Sequence, residues 1–373
     1  MTDSTDINRD ALIKTINLAR PALAKHDYIP ALTHLMFAEG FVSAYNGNQA
    51  LQIAHDTRAL NMNLCLPGDQ LAMVLSTFNA QKVMLQTGED DTVTVVSGRG
   101  RVKIKALPAA TFPLTMPKAS AGDRVVLTDD LLEGFRRCLM AVGNNPRNPA
   151  SMGVTLSDSA DGKAILYSTD GATISRYASS AKISLPGDAP QVVPTFFCEQ
   201  MVALAKAFPK ADAALFLFPG ALMAVFSEDD VVKARVFSSV LEDLASLDFE
   251  TIVAKHVKLA GLSDKVETIP TGFDSAMARA ALAMATKTDK TTRMTPTNAG
   301  VKLLSVGDTS EAEDSITMES PPDGEPFYID PMLVLRAIKE CSHFYMGNRA
   351  MTFAGDDKCR FIHLIAHCEA AGA

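Results

Sequence analysis

Pro67-Gly68-Asp69-Gln70-Leu71-Ala72-Met73-Val74-Leu75-Ser76-Thr77-Phe78 reads as a short amphipathic helix, because Leu71, Val74, Leu75 and Phe78 fall at i, i+3, i+4 and i+7 spacing. Three strand-like runs follow it, at residues 82–86, 92–97 and 101–106. The same unit returns at Pro194-Thr195, with Met201, Val202, Ala205 and Phe208 on the helix face and runs at 213–218, 222–226 and 231–237. A third copy opens at Asp330-Pro331 and continues into runs at 343–346, 350–354 and 360–366. Asp69, Thr195 and Asp330 stand where helix N-caps are expected.

The copies recur about 130 residues apart, far beyond a solenoid period, so each belongs to a whole domain. A further amphipathic helix lies earlier in each third, carried by Leu12, Ile16, Ala19 and Leu23, by Leu132, Phe135, Leu139 and Val142, and by Phe273, Met277, Ala281 and Met284. The pattern predicts an α+β chain of three similar domains, at 1–122, 123–256 and 257–373, each holding two helix-plus-strands units.

Composition agrees with a folded chain. With 373 residues and 47% hydrophobic content, each third is long enough to bury its own core. The longest apolar stretch, 213–226, is broken by Pro219-Gly220 and too short for a bilayer span, and the N-terminus lacks a basic-then-apolar signal pattern. A soluble, cytoplasmic protein with no membrane association is expected. The six cysteines lie far apart, several on apolar helix faces, and no disulfide is expected. The net charge of −8 argues against a polyanion partner if taken alone. Its distribution does not: acidic residues gather in turns and strand loops (89–91, 228–230, 311–314), while Lys14, Arg20, Arg136, Arg137, Lys206, Arg279, Arg336 and Lys339 fall on helices.

Signatures of chemistry are missing. Gly98-Arg99-Gly100 joins two strands and opens no helix, so it is neither a P-loop nor a dinucleotide fingerprint. No Gly-x-Ser-x-Gly elbow and no His-Glu-x-x-His helix occurs. Cys359, His363, His367 and Cys368 have suggestive spacing for a metal. On a strand, however, residues four apart are separated by roughly 13 Å, too far to share one ion, and they read as edge-strand and tail side chains. Thr169-Asp170-Gly171 reads as a hairpin turn rather than a general base. No catalytic residue, cofactor or metal is expected.

These residues together resemble a family, the beta subunit of bacterial DNA polymerase III, the replicative sliding clamp, in a divergent or phage-encoded form. Tyr28-Ile29-Pro30-Ala31-Leu32 and the closing Leu107-Pro108 to Phe112-Pro113 are similar to its first domain. The middle third is most alike, in Met152-Gly153-Val154-Thr155-Leu156, in Tyr167-Ser168-Thr169-Asp170-Gly171 and in Val193-Pro194. Ala278-Arg279-Ala280-Ala281, Glu311-Ala312-Glu313 and Phe327-Tyr328-Ile329-Asp330 match the last domain.

The resemblance implies a homodimer joined head to tail into a ring, with helices lining a central hole and antiparallel sheets outside. The helix cations, with Arg147 near a family arginine and Lys25 beside His26, would contact double-stranded DNA through its phosphates without reading bases. The role implied is tethering a DNA polymerase, after placement by a clamp loader, with no chemistry in the clamp. A partner-peptide pocket would use Ser151, Thr169, Gly171, Ala172, Thr173 and Ile174, then Leu247 and Ile252, and finally the 364–368 segment with Leu364, Ala366 and His367. It departs from the family where Ala172-Thr173 replaces a common His-Arg pair, Leu247 a proline and Ile365-Ala366-His367 a Met-Pro-Met ending. Phe112 and Leu282 match apolar contact positions of the subunit interface, and both fit equally as core residues. Two other readings remain open: a clamp-like protein that binds replication factors without encircling DNA, and a three-domain enzyme with a loop-built site.

Overall fold

The computed structural model describes residues 4–26, 28–55, 62–88, 91–145, 147, 149–185, 190–240, 247–287, 290–347, 349–356 and 360–368. A lead strand, a helix and a three-stranded antiparallel meander recur along it. The first round is β1 (Ser4–Asn8), α1 (Arg9–Ala19), β2 (His34–Ala38), β3 (Phe41–Tyr45) and β4 (Gln49–Ala54); the second is β5 (Leu64–Pro67), α2 (Gly68–Thr77), β6 (Lys82–Thr87), β7 (Thr92–Ser97) and β8 (Gly100–Lys105). After the short β9 (Leu107–Pro108), the third is β10 (Asp123–Val126), α3 (Asp129–Cys138), β11 (Gly153–Asp158), β12 (Lys163–Thr169) and β13 (Thr173–Lys182). The fourth is β14 (Gln191–Pro194), α4 (Thr195–Ala207), β15 (Asp212–Phe218), β16 (Ala221–Glu228) and β17 (Val231–Ser239). A connecting helix α5 (Phe249–His256) precedes the fifth, β18 (Glu267–Thr268), α6 (Phe273–Ala283), β19 (Thr292–Thr297), β20 (Gly300–Val306) and β21 (Glu311–Thr317). The sixth is β22 (Phe327–Ile329), α7 (Pro331–Ile338), β23 (His343–Met346), β24 (Ala350–Ala354) and β25 (Phe361–Ala366).

The chain forms two compact units, 1–128 with 199–242, and 129–198 with 243–373. Both cut across the sequence repeat, because the sheets do. The first unit holds a four-stranded sheet, β1-β6-β7-β8, and a nine-stranded sheet, β10-β15-β16-β17-β4-β3-β2-β5-β9. In the latter, β17 pairs antiparallel with β4, Val236 opposite Leu51. The second unit holds an eight-stranded sheet, β14-β11-β12-β13-β25-β24-β23-β18, and a four-stranded sheet, β21-β20-β19-β22. Here β13 pairs with β25, Ile174 opposite Leu364. Each join lets the last strand of one meander satisfy the open backbone edge of another.

Helices cover these sheets with the stripes the sequence predicts. Leu12, Ile16 and Ala19 of α1 are buried, as are Val42, Ala44, Leu51 and Ile53 of the adjoining strands. In α3 the buried residues are Leu131, Gly134, Phe135 and Cys138, so the helix is turned slightly from the Leu132-Phe135-Leu139 face read from spacing. The turn is fixed at its start, where Asp130 accepts hydrogen bonds from Tyr177 (2.7 Å), Ser179 (2.6 Å) and Arg360 (3.0 Å). Gly153 lets β14 approach β11, since a Cβ there would lie 2.3 Å from the Val193 carbonyl oxygen.

Three expectations are corrected. Thr195 is the first residue of α4 rather than its N-cap, and its hydroxyl donates to the Met152 carbonyl at 2.8 Å. Asp69 is not an N-cap: α2 starts a residue earlier, at Gly68, which packs against Leu23 and Leu35, and Asp69 is left in the first turn to bind Arg20. Asp330 does cap α7, accepting from Met332 N at 2.7 Å. The strand carrying His363 is not an edge strand, because β25 lies between β13 and β24. Cys65, Cys138 and Cys341 are buried free thiols, and Cys359 lies outside the described residues. Among the described residues no helix is long and apolar enough to cross a membrane.

His363 is 1% exposed, with Nδ1 2.9 Å from Ser175 Oγ, and burial brings its pKa down to about 4. The unfolded chain takes up this proton near its ordinary value of 6.5 and the folded chain does not. Stability is therefore whole above that value and falls as pH drops toward 4, by at most about 3 kcal/mol. In urea titrations between neutral pH and the acid limit, His363→Gln is expected to flatten this dependence; an unchanged slope would place the acid sensitivity elsewhere.

Candidate functional site

One face of the eight-stranded sheet is covered by the 247–266 segment rather than by a meander helix. Tyr167 of β12, Ile174 of β13 and Ile362 and Leu364 of β25 form a buried cluster with Phe249, Val253, Val257, Leu262 and Val266, and half-buried Leu247 and Ile252 pack on its rim. α5 is capped by Asp248, which accepts from Thr251 N at 3.1 Å. Five of the sequence-predicted pocket residues, Thr169, Ile174, Leu247, Ile252 and Leu364, are thus brought to this face or its margin by the β12-β13-β25 register.

The others are placed around it. Asp170 Oδ1 accepts from Ala172 N (2.9 Å) and Thr173 N (2.6 Å), and Gly171 has φ +94°, so the Thr-Asp-Gly stretch is an Asx-type turn whose carboxylate is taken up by backbone. Exposed Ala172 accepts from Ala366 N through its carbonyl at 2.9 Å. Thr173 is buried and, by strand alternation, faces away from Ile174, toward the α3 side; its hydroxyl has no hydrogen-bond partner among the described residues. Ser151 is buried beside Gly143, whose N donates to the Ser151 carbonyl at 2.8 Å. The His367 ring stacks on Phe327 at 4.1 Å, and the next residue, Cys368, donates through N to the Tyr328 carbonyl at 2.8 Å. Among the described residues no three metal-capable side chains converge.

The predicted helix cations fall into two sets. Arg20 binds Asp69 (2.6 Å) and Arg279 binds Asp314 (2.6 Å). Arg136 bridges Glu133 (2.7 Å) and Glu340 (2.8 Å), while Arg137 binds Glu133 (2.6 Å), donates to the Glu340 carbonyl (3.0 Å) and covers the Phe361 ring at 5.0 Å. Arg136 above all, and then Arg137, hold the Glu133 carboxyl down at about 2 against the opposing effect of burial. Together they tie α3 to the end of α7. Lys14, Lys25, Arg147, Lys206, Arg336 and Lys339 are exposed and make no ion pair among the described residues. Arg336 and Lys339 line a recess of about 310 Å³ with Leu139 and Met140 beside the paired arginines.

Of the two interface candidates, Phe112 is buried with Ala31 and Cys65 within the first unit, whereas Leu282 on α6 is 75% exposed. Sequence reasoning missed two features. One is the pair of open edges, β8 with Arg101, Lys103 and Lys105 exposed and β21 with Glu311 and Glu313 exposed. Their alternating charges were legible; their place at the sheet edges was not. The other is the polar cluster of Tyr167, Arg176 and Glu250 under α5.

No protein-family model matches the chain, and no curated protein matches it in sequence. Solved structures do. The DNA polymerase III beta sliding clamp of Pseudomonas aeruginosa bound to griselimycin superposes with a TM-score of 0.80 at 16% identity, covering 99% of this chain and 100% of that one. The clamp of Bartonella birtlesii bound to griselimycin gives 0.80 at 14% identity over 99% and 100%. The beta subunit of Streptococcus pyogenes DNA polymerase gives 0.79 at 15% identity over 98% and 100%. The chain therefore has the α+β sliding-clamp fold.

The turn beside the apolar face offers a direct check. Gly171→Ala places a Cβ on a backbone at φ +94° and is expected to cost about 1 kcal/mol, read as a lowered unfolding midpoint; an unchanged midpoint would mean that the turn is not held in this conformation.

Proposed function

We propose that the chain is a DNA sliding clamp, a ring-shaped processivity factor made of two copies head to tail. It encircles duplex DNA and tethers a replicative polymerase through the apolar margin beside α5, where Leu247 and Ile252 are half-buried, in the cytoplasm, with no catalytic residue of its own. The repeats at 1–122, 123–256 and 257–373 are its three domains.

The observation that carries this reading is a pairing rule. Within the chain, the last strand of a second-half meander joins the last strand of a first-half meander from another repeat, β17 with β4 and β25 with β13. Two last strands are left over, β8 and β21, each at the edge of its sheet. The same rule applied between copies joins β8 of one to β21 of the next, and two such joins close a ring. Charge supports the match, since the exposed face of β8 is basic and that of β21 acidic. Val102 and Ile104 on the other face of β8 meet Ala312 and Ile316 in kind. Leu282, on the helix packed against β21, lies near this edge.

For DNA, the exposed unpaired cations Lys14, Lys25, Arg147, Lys206, Arg336 and Lys339 are the phosphate contacts, and Arg136 and Arg137 serve instead to hold α3 to α7. Topological retention raises the effective concentration of a tethered polymerase at the primer end. A polymerase and a clamp loader are the partners of the apolar site. Griselimycin, bound to two of the neighbouring clamps, is the compound to test against it, with Leu247→Ala as the variant expected to weaken binding.

Light scattering should give a particle of about 80 kDa, twice the 39.9 kDa chain. Arg101→Glu with Lys103→Glu should lower it toward the single-chain mass, and mixing with Glu311→Lys/Glu313→Lys chains should restore a dimer; a wild-type monomer at all concentrations would overturn the ring. Loaded on circular DNA, the dimer should be lost on linearisation. Each of Lys14→Gln, Lys206→Gln and Lys339→Gln should lower the salt slope of DNA affinity by roughly 0.9 per contact, while Arg136→Gln should leave that slope unchanged.

A further inference from the structure

We infer that Tyr167, Arg176 and Glu250 are the positioning residues that seat α5 on the eight-stranded sheet and so fix Leu247 and Ile252 at the rim of the apolar site; this rests on the reading of that face as the partner-peptide site. α5 is eight residues long, and a helix of that length is marginal in isolation, so docking must hold it. Apolar packing through Phe249 and Val253 supplies one part of the seat.

The rest is polar and oriented. Tyr167 and Arg176 stand directly opposite each other on β12 and β13, so both side chains emerge on the face that carries Ile174 and Leu364. The Tyr167 ring stacks on Phe249 at 5.1 Å and 8° interplanar angle, and its hydroxyl donates to Glu250 Oε1. Arg176 lies over the Tyr167 ring at 5.9 Å, donates through Nε to the Tyr167 hydroxyl at 3.4 Å and brings Nη2 to 4.0 Å from Glu250. Its side chain is only 14% exposed, and a guanidinium so placed on an otherwise apolar sheet face needs partners. Glu250, in the first turn of α5, is one of them, so the helix is joined to the cation rather than merely resting on oil.

Leu247 and Ile252 follow mechanically. Phe249 N donates to the Leu247 carbonyl at 2.9 Å and Ile252 N to the Asp248 carbonyl at 3.0 Å, so both residues move with the first turn. A seat that is fixed before binding leaves less ordering to be done when a ligand arrives.

Hydrogen exchange of the full-length chain tests the seat without any ligand. Tyr167→Phe keeps the ring stack and the fold but removes the hydroxyl, and should speed exchange of the 249–256 amides by roughly five- to ten-fold while leaving β11 to β13 unchanged. Glu250→Ala, which also takes away the carboxylate beside Arg176, should do at least as much, and the double variant should add little to Glu250→Ala alone, because the Tyr167–Glu250 hydrogen bond is already lost in it. Glu250→Gln, which keeps an acceptor, should restore most of the protection. Griselimycin affinity should fall in the two fast-exchanging variants and recover in Glu250→Gln. Unchanged exchange in Tyr167→Phe, additive effects in the double variant, or faster exchange with unaltered griselimycin affinity would each overturn the inference. A wild-type chain that does not bind griselimycin would instead count against the peptide-site reading, and the exchange result would still stand for or against the seat.

Discussion

Backbone hydrogen bonding at the open edge of each meander is the constraint on which the rest of the molecule depends. A helix can cover one face of three strands, but it leaves the last strand with a row of unpaired N–H and C=O groups. β4 and β17 remove this defect for each other, as do β13 and β25, and the results are sheets of nine and eight strands. Elements distant in sequence become neighbours for that reason alone. The compact units cut across the sequence repeat for the same reason, since a continuous sheet gathers strands from different repeats into one body.

Electrostatics follow a similar logic of pairing. Arg20, Arg136, Arg137 and Arg279 are engaged by Asp69, Glu133, Glu340 or Asp314, whereas Arg147 and Arg336 are exposed and make no ion pair among the described residues. Lys14, Lys206 and Lys339, with flexible stems and compact charges, extend into solvent instead. A cation on a helix is therefore not the same thing as a cation available to a polyanion. Exposed pairs of this kind contribute little to stability; what they alter is which charges remain unclaimed.

Much of the architecture was legible in the chain because its signals are periodic. Helical spacing around Leu71 and Leu75, and strand runs such as 92–97 and 343–346, are local patterns that burial of one face imposes. Where sequence reading went astray, a neighbour decided. Asp69 looks like an N-cap, yet close packing of Gly68 against Leu23 and Leu35 starts the helix earlier. His363 looks like an edge residue, yet β25 is enclosed between β13 and β24. The turn at Asp170 was read correctly because an Asx turn is closed by its own side chain.

The sequence by itself determined the six helix-and-meander rounds, the Thr169 to Gly171 turn and the segregation of charge along the chain, since each depends on residues within a few positions of one another. Only tertiary structure decided which strands meet at sheet edges, which arginines are already spoken for, and that Tyr167, Arg176 and Glu250 converge beneath α5. Glu250 is 83 positions from Tyr167, and no local period links them. Their meeting is set by the β12-β13-β25 register and by the docking of α5 on that sheet, and neither is encoded in any window short enough to read along the sequence.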